Sequence, residues 1–420
     1  MKTVALCTLG CKVNSYDSEF MRQLFLRNGY SEVKFGEPAD INVINTCTVT
    51  AVADKKSRAM IRRASATGKV IVAGCMAQKQ ADELLEMEGV SAVIGTDERS
   101  NIITVAERLI SGEERIDATH GLEGCGFEAM DIGASGDRTR GIVKIQEGCD
   151  NFCSYCIIPY VRGRSRSRSF ADIVKETELL FENGVKEIVL TGIHIASYYD
   201  KGLTLGDVIR GLDKTGVRIR LGSIEPGVLG GEFIEQAAAA KHLCAHFHLS
   251  LQSGSGSVLK RMNRKYTPEE YSDFVRLLRK HFDNPAITTD IIAGFPGETE
   301  EEHEETKAFV QNIEFSRVHV FPFSARKGTK AYDMQPKVPK HVARQRAAEL
   351  IALGDIFEKK YIESLIGQSA QVLFEQESQT FKGCLEGYSE RYVRVAAKAE
   401  ENELKSVTLT EVRDKVIYGI

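Results

Sequence analysis

The chain has 420 residues, of which 42% are hydrophobic and 27% are charged. This length predicts two to four domains of roughly 100–200 residues each, and the composition excludes a mainly disordered or fibrous protein. The formal charge of −4 excludes an overall basic field, so contacts with nucleic acid would need local patches. No apolar run approaches the roughly 20 residues that span a bilayer, so we expect no membrane partner.

The chain begins with a short apolar run that reads as a buried strand and not as a signal peptide. We therefore expect a cytoplasmic protein. Ten Cys are present, and in that compartment they favour metal or catalytic chemistry over disulfides.

Strand-like and helix-like segments alternate over residues 1–115. Strands are predicted at 3–9, 41–45, 70–73 and 90–95, and helices between them at 16–27, 54–64 and 80–86. This alternation predicts an α/β domain with a parallel sheet covered by helices. Residues 116–138 are rich in Gly and charge and show little periodicity, so we predict a linker there.

A second alternating series occupies residues 139–365. Helix starts are marked by Thr267-Pro268-Glu269-Glu270 and by Thr299-Glu300-Glu301-Glu302, which both have the pattern of a capping box. Six predicted strands are enough for an open, partial (β/α)6 barrel, and they lie at 142–146, 187–190, 218–221, 246–249, 287–292 and 317–321. Residues 366–420 change to short alternating strands with Gly and Ser, which predict a small antiparallel β-barrel.

Three Cys form a C-x3-C-x2-C run directly after the first strand of the second series, at Cys149, Cys153 and Cys156. Three thiolates on one loop can hold three corners of an iron–sulfur cube and leave the fourth iron open to a small molecule. The alternative is a structural zinc loop. Zinc normally takes four ligands in C-x2–4-C pairs, and no fourth Cys or His lies near in sequence, so the pattern favours the cluster.

Three further Cys each follow the end of a successive predicted strand, at Cys11, Cys47 and Cys75. Carboxyl ends of parallel strands line one edge of a sheet, and neighbouring strands lie about 4.8 Å apart, so these thiols are expected to converge on a metal centre. The alternative is that they are buried as small hydrophobic residues, which fits three other Cys in predicted strands: Cys7, Cys244 and Cys384. Cys125 has no assigned role.

Longer motifs resemble a known family. The stretch from Lys144 to Pro159 resembles the radical S-adenosylmethionine (SAM) superfamily, as do Leu251-Gln252-Ser253-Gly254-Ser255 and Gly294-Phe295-Pro296-Gly297-Glu298-Thr299. The upstream Cys trio and the terminal barrel resemble the methylthiotransferases, whose tail is called a TRAM domain. The segments Thr8-Leu9-Gly10-Cys11-Lys12-Val13-Asn14 and Asn45-Thr46-Cys47-Thr48-Val49-Thr50 resemble the branch acting on N6-threonylcarbamoyladenosine at tRNA position 37.

The resemblance implies that Cys149, Cys153 and Cys156 hold a [4Fe–4S] cluster that binds SAM, and that the upstream trio holds an auxiliary [4Fe–4S] cluster. It further implies a transferase that adds a methylthio group to C2 of N6-threonylcarbamoyladenosine at position 37 of tRNA and uses two SAM per turnover. The implied partners are tRNA, sulfide or another sulfur donor, and a flavodoxin- or ferredoxin-type electron donor. Three alternatives remain: isopentenyladenosine-37 tRNA, a ribosomal-protein aspartate, or a non-catalytic zinc RNA-binding protein.

Chemistry in an α/β barrel is expected at the carboxyl ends of the strands. The residues that we predict there, together with an aromatic residue on the cysteine loop, would contact SAM: Tyr155, Thr191, Gly192, His194, Ser223, Glu225, Gln252, Asp290 and Gly294.

Local basic clusters are the candidates for RNA phosphate contacts, although a charge run is more often a solvated face. The tail carries slightly more acidic than basic residues, and its Tyr388, Tyr392 and Arg394 are suited to stacking on or gripping RNA. The basic residues that we predict to contact RNA are Lys55, Lys56, Arg58, Arg62, Arg162, Arg164, Arg166, Arg168, Lys260, Arg261, Arg264 and Lys265.

Overall fold

The computed structural model describes residues 2–130 and 139–420. These residues form two compact units. The first contains residues up to 130, 144–168 and 324–332, and the second contains 139–143, 169–323 and 333–420. Within the described ranges, no helix combines the length and the apolar character needed to cross a membrane.

The first unit is built on a six-stranded parallel sheet with the order β2-β1-β3-β4-β5-β6. Its strands are β1 (Thr3–Thr8), β2 (Ser31–Glu32), β3 (Ile41–Thr46), β4 (Lys69–Gly74), β5 (Val90–Ile94) and β6 (Ile116–Ala118). Its helices are α1 (Lys12–Arg27), α2 (Ala51–Ser65), α3 (Cys75–Lys79), α4 (Ala81–Leu85) and α5 (Ile102–Ile110). The predicted parallel α/β fold is confirmed.

Alternation of side chains along the central strands builds two cores, one on each face of this sheet. Val43 and Ile71 pack with Phe25 of α1 and Leu109 of α5. The next residues along the same strands, Ile44 and Val72, pack with Ile61 of α2 and Leu84 of α4. The sheet is therefore buried on both faces, and its carboxyl edge is where loops can present polar side chains.

The structure differs from the sequence-based expectation at residue 116. We predict a linker from this point, whereas Ile116–Ala118 pairs in parallel with β5 as the sixth strand. A strand of three residues is too short for hydrophobic periodicity to reveal it.

Three short elements that surround the second cysteine motif also belong to the first unit. β8 (Gln146–Glu147) precedes the cysteine loop, α6 (Ile158–Arg162) follows it, and β9 (Arg166–Ser167) pairs antiparallel with β8. β7 (Arg140–Lys144) leads into this segment.

The second unit contains two three-stranded sheets, β13-β10-β7 and β14-β15-β16. A parallel bridge between Ile224 and Leu249 connects the segments after β13 and β14, so the strands form one open series. The new strands are β10 (Glu187–Thr191), β13 (Arg218–Leu221), β14 (His246–His248), β15 (Ala286–Ala293) and β16 (Arg317–Pro322), with a small hairpin of β11 (Tyr199–Asp200) and β12 (Leu203–Thr204).

Helices alternate with these strands, and both predicted capping boxes form at Thr267 and Thr299. In each box the threonine Oγ1 accepts a hydrogen bond from the amide three residues later, which stabilises the first helical turn. The helices are α7 (Phe170–Glu182), α8 (Leu205–Asp213), α9 (Gly231–Ala239), α10 (Gly256–Arg261), α11 (Pro268–His281), α12 (Glu300–Ile313) and α14 (Lys340–Ser364). The short helix α13 (Lys330–Asp333) belongs to the first unit except for its last residue.

The tail of the second unit is a closed five-stranded barrel in the order β17-β18-β19-β21-β20. Its strands are β17 (Ser369–Glu377), β18 (Leu385–Ser389), β19 (Arg394–Ala397), β20 (Leu404–Arg413) and β21 (Val416–Gly419). The predicted small barrel is confirmed, but it is not wholly antiparallel because β19 and β21 pair in parallel. Strictly alternating directions cannot close a ring with an odd number of strands, so five strands require one parallel pair.

Candidate functional site

The first three site cysteines lie at one edge of the six-stranded sheet. Cys11 follows β1 and begins the turn into α1, Cys47 follows β3, and Cys75 is the first residue of α3 after β4. The three strands β1, β3 and β4 are direct neighbours in the sheet. The structure therefore brings together residues that are 36 and 28 positions apart in sequence, which is the arrangement predicted from the strand ends.

Local backbone geometry fixes how closely these thiols approach. Gly10 has φ +108°, and a Cβ placed on it would lie 2.9 Å from the Cβ of Cys47 and 3.2 Å from its Sγ. Burial raises the pKa of both Cys47 and Cys75, and the Cys11 thiol raises both further; the pKa of Cys75 reaches about 11. The Cys11 thiol therefore lies near enough to act electrostatically on both of the other thiols.

The second cysteine motif curls into a compact loop between β8 and α6. The Cys149 amide donates to the carbonyl of Gly163 at 3.1 Å, and the Cys156 amide donates to the carbonyl of Cys153 at 2.9 Å. Gly148 has φ +68°, and a Cβ there would lie 1.9 Å from the carbonyl oxygen of Arg164. Only glycine fits this approach, so the residue before the first cysteine sets the shape of the loop.

Both cysteine sets fit clusters held by three thiolates. The structure describes all ten Cys of the chain, and none forms a disulfide. Each set supplies three sulfur ligands, which is the donor chemistry that iron–sulfur clusters use in proteins. Both sets also lie in the same compact unit.

A buried arginine joins the two cysteine-bearing regions of this unit. Arg162, the last residue of α6, donates from Nε to the Sγ of Cys75 at 3.2 Å. Cys75 also packs with Ile157 and Val161, which come directly after the second motif. The segment that carries Cys149, Cys153 and Cys156 is therefore anchored on a residue of the other trio.

The rest of the Arg162 guanidinium enters a buried network of charges. Its Nη1 lies 2.8 Å and 2.9 Å from the two carboxylate oxygens of Glu147, and its Nη2 lies 3.2 Å from Asp17. Lys144 contacts both of these carboxylates, and Arg99 lies 2.9 Å from Asp17. Burial alone would raise the pKa of each acid, but the surrounding cations hold the pKa of both Glu147 and Asp17 below its ordinary value.

This network corrects the prediction that Arg162, Arg166 and Arg168 contact RNA. The Arg162 side chain is 0% exposed. Arg166 is buried against the Arg162 carbonyl and Asp97, and Arg168 is buried against the Tyr16 hydroxyl. A guanidinium that is buried and paired inside the protein cannot reach a phosphate, so these three residues are structural.

Other predicted RNA contacts of the first unit are at the surface. Lys55, Lys56 and Arg62 are exposed on α2, whereas Arg58 is half-buried and contacts Gln80 and Glu83. Arg164 is 72% exposed; its guanidinium lies over the ring of Phe152 and 3.2 Å from Asp150.

Seven of the nine predicted SAM contacts end or follow strands of the second unit, Asp290 lies inside β15, and Tyr155 lies on the cysteine loop of the first unit. Thr191 ends β10, and Gly192 and His194 follow it; Ser223 and Glu225 follow β13. Gln252, at φ +70°, follows β14 and exchanges backbone hydrogen bonds with Asp290 and Ile292 on β15. Gly294 follows β15, and its amide donates to Glu298 at 3.0 Å.

Glu225 contacts an arginine and a histidine. The Arg264 guanidinium lies 3.0 Å from its carboxylate, and the His194 Nε2 lies 3.6 Å from it. This corrects the prediction that Arg264 contacts RNA, because its side chain is only 5% exposed. Arg261 is partly buried and paired with Glu302 at 2.6 Å, whereas Lys260 and Lys265 are exposed.

Sequence reasoning missed a second buried charge cluster, at the amino-terminal ends of β10 and β13. Glu187 accepts hydrogen bonds from Arg218 and Arg220. The same two arginines donate to four carbonyls of the tail: Gln371, Tyr388, Ser389 and Glu390. Every residue has a backbone carbonyl, so no sequence pattern could have predicted these hydrogen bonds between the two arginines and the tail.

The two tyrosines of the tail that we predict to stack on RNA pack against other side chains of the second unit. Tyr388 and Tyr392 stack at 4.6 Å between ring centroids, and His246 stacks on Tyr392 at 4.8 Å. Arg140 lies over Tyr388, and Arg220 lies over Tyr392. The expectation that these two tyrosines stack on RNA is therefore wrong, because their ring faces pack within the protein.

Two protein families match the regions of the chain that carry the two cysteine trios. Residues 143–310 match the radical SAM superfamily, and residues 3–95 match the uncharacterized protein family UPF0004. The solved structure of the radical SAM methyltransferase TsrM from Kitasatospora setae is similar in fold, with a TM-score of 0.59 and 16% identity over 79% of this chain and 77% of that one. The chain is thus a radical SAM protein.

Similar curated proteins show to which family of radical SAM proteins the chain belongs. A threonylcarbamoyladenosine tRNA methylthiotransferase of Bacillus subtilis (strain 168) is 40% identical over 98% of this chain and 94% of its own length. A tRNA-2-methylthio-N(6)-dimethylallyladenosine synthase of Bacillus pumilus is 33% identical over 98% of this chain and 84% of its own length. The chain belongs to the radical SAM tRNA methylthiotransferase family, whose members are transferases that use SAM and carry two [4Fe–4S] clusters.

Proposed function

We propose that this protein adds a methylthio group to C2 of N6-threonylcarbamoyladenosine at position 37 of tRNA. The observation that carries the proposal is the presence of two cysteine trios in one compact unit, with Arg162 of the second motif bonded to Cys75 of the first. A radical SAM protein of simple type needs only one such trio. The second trio supports a reaction that also handles sulfur.

We assign Cys149, Cys153 and Cys156 to the cluster that binds SAM, and Cys11, Cys47 and Cys75 to the auxiliary cluster. When bound, these groups supply radical generation from SAM and the sulfur chemistry of the transfer. The chain itself supplies the thiolate ligands, the glycine turns at Gly10 and Gly148 that set the loops, and a buried guanidinium that donates to one ligand sulfur.

The strand-end residues of the second unit remain predicted SAM contacts. The buried carboxylate of Glu225 is suited to accept hydrogen bonds from ribose hydroxyls, and its contact with Arg264 fixes it in position. The backbone groups around Thr191 and Gly192 are suited to polar groups of the methionine portion.

The exposed basic residues are the proposed tRNA contacts: Lys55, Lys56, Arg62, Arg164, Lys260 and Lys265. Phosphate contacts of this kind position an RNA without reading its sequence. The target base must also be splayed out of the anticodon loop to reach a radical site. We expect sulfide or a sulfur donor and a flavodoxin- or ferredoxin-type reductant as further partners.

The test is nucleoside analysis of tRNA from a deletion strain complemented with variants. Wild type is expected to restore 2-methylthio-N6-threonylcarbamoyladenosine, whereas Cys47→Ala and Cys153→Ala are expected to leave the unmodified nucleoside. Cys384→Ala, which alters a cysteine of the tail barrel, is the matched control and should restore the product. If deletion leaves this nucleoside unchanged, the substrate assignment fails.

A second substrate is favoured by one specific observation, the 33% identity to relatives named for N6-dimethylallyladenosine. The same chromatograms report both nucleosides. Loss of 2-methylthio-N6-dimethylallyladenosine alone would transfer the assignment to that branch without changing the proposed chemistry.

A further inference from the structure

A third group of metal-ligand side chains lies in the first unit, apart from the six cysteines assigned above. Asp97 follows β5, while His120 and Cys125 follow β6. One ligand atom of each lies within 4.8 Å of the others. The His120 Nε2 is 3.9 Å from the Cys125 Sγ and 3.8 Å from a carboxylate oxygen of Asp97.

The loops that carry these residues are held by one amide side chain. Gln78 of α3 accepts a hydrogen bond from the amide of Thr96 at 2.9 Å and donates to the carbonyl of His120 at 2.9 Å. The residues directly before Asp97 and at His120 are thus fixed to the same helix. The Asp97 side chain is 9% exposed and that of His120 is 35% exposed, so the group lies at a partly covered surface that an ion can reach.

Two charged side chains contact this group from outside it: Glu98 lies beside His120, and Arg166 contacts Asp97. The Glu98 carboxylate lies 3.5 Å from the Nδ1 of His120, so the other ring nitrogen, Nε2, is the one directed to Cys125 and Asp97. Arg166 contacts the second carboxylate oxygen of Asp97 at 2.9 Å. The Nδ1 of His120 is buried without a hydrogen-bond partner, so Glu98 acts on the site only through its negative charge, which favours a bound cation.

We propose that Asp97, His120 and Cys125 bind a divalent cation of the zinc type, with water in the fourth position. Zinc takes thiolate sulfur at about 2.3 Å and nitrogen or oxygen at about 2.0–2.2 Å, so ligand atoms of a tetrahedral site stand about 3.5 Å apart. The observed 3.8 Å and 3.9 Å from the His120 Nε2 to its two partners exceed this by only a few tenths of an ångström. One thiolate and one carboxylate balance the charge of the ion.

The other compact group of this kind among the described residues contrasts with it. His303, Glu304 and Glu349 also lie within 4.8 Å of one another. There, however, Lys307 contacts both carboxylates, and His303 is hydrogen-bonded to Glu349 at 2.9 Å. That group offers no thiolate, and its histidine nitrogen is already hydrogen-bonded, so the site after β5 and β6 is the better zinc site.

The experiment measures zinc and iron together on the full-length protein. The two clusters are first reconstituted anaerobically so that their six cysteines are occupied, and the protein is then exposed to zinc and desalted. We expect about one zinc per chain beside about eight iron. Cys125→Ser and His120→Gln should each lower zinc at least tenfold and leave iron unchanged. Glu98→Gln removes one nearby negative charge and should weaken zinc binding by less than either ligand substitution.

X-ray absorption at the zinc edge checks the ligand set. One sulfur ligand is expected in wild type, and Cys384→Ser should retain both the zinc and this spectrum. Equal zinc in wild type, Cys125→Ser and His120→Gln would overturn the proposal, because the ion would then be bound elsewhere. So would wild-type protein that retains no zinc after desalting.

Discussion

The Nε of Arg162 lies 3.2 Å from the Sγ of Cys75. The two residues are 87 positions apart and belong to the two different cysteine motifs. A donor to a ligand sulfur disperses negative charge, and hydrogen bonds to sulfur are one of the factors that set the reduction potential of a cluster. If Cys75 holds the auxiliary cluster as we propose, Arg162 connects the folding of the second motif to the electronic properties of that cluster.

The first prediction concerns this hydrogen bond. Arg162→Lys keeps the positive charge but loses the planar fork that contacts Cys75, Glu147 and Asp17 together. The auxiliary cluster should therefore have a more negative midpoint potential than in wild type, and urea unfolding should show a loss of stability approaching the about 3–5 kcal/mol of a broken buried pair. A redox titration followed by electron paramagnetic resonance measures the potential.

The matched control for that experiment is Arg164→Lys. Arg164 lies two residues further along and is 72% exposed, so its substitution should change neither the potential nor the stability by a measurable amount. An unchanged potential in Arg162→Lys would show that the contact with Cys75 is only structural.

The second prediction concerns the glycine before Cys11. At Gly10 a Cβ would lie 2.9 Å from the Cβ of Cys47, and the backbone has φ +108°, so Gly10→Ala should displace the turn that holds two ligands of the trio. We expect iron to fall from about eight to about four per chain, with reductive SAM cleavage retained. Gly29→Ala is the control, because that glycine also has a positive φ but open space around it. Equal losses of iron in both variants would argue for general misfolding.

The sequence was sufficient for features that depend on local pattern. The parallel sheet, the capping boxes at Thr267 and Thr299, and the positions of six cysteines at strand ends or on one loop all follow from periodicity and spacing over a few residues. The strand Ile116–Ala118 was missed because it has only three residues.

The basic run around Arg162 shows what a sequence cannot decide. Arg162, Arg164, Arg166 and Arg168 alternate with small residues, as in a solvated basic segment, yet only Arg164 is exposed among the four. The difference arises because Arg162 meets Asp17, 145 residues away, and Arg166 meets Asp97. Distant carboxylates that form a buried partner set are visible only after the chain folds, and the same is true of Asp97, His120 and Cys125.

The third prediction concerns pH and the anchor of the tail. Burial alone would raise the pKa of Glu187, but Arg220 and Arg218 overcome it and hold the pKa at about 2. Because the folded-state pKa lies below the ordinary value of 4.5, this stabilisation is complete above about pH 5 and is lost as the pH falls toward 2. Between pH 6 and pH 3 the loss should be about 2 kcal/mol.

Urea unfolding of cluster-free protein at both pH values, compared with Glu187→Gln, isolates this contribution. The variant lacks the titrating group, so its stability should fall less between pH 6 and pH 3 than that of wild type. Parallel losses in both proteins would mean that Glu187 is not ionised by its two arginines in the folded state.

The last prediction separates packing from RNA binding in the tail. Tyr392 stacks between Tyr388 and His246 and lies under the Arg220 guanidinium, so Tyr392→Ala should destabilise the protein by about 2 kcal/mol, through lost ring contacts and the cation–π contact. Tyr392→Phe keeps the ring, and its free energy of unfolding should lie within about 0.5 kcal/mol of the wild-type value. Under conditions where both variants are folded, tRNA affinity should match wild type. A folded Tyr392→Ala protein that binds tRNA tenfold more weakly would instead place this ring in the RNA interface.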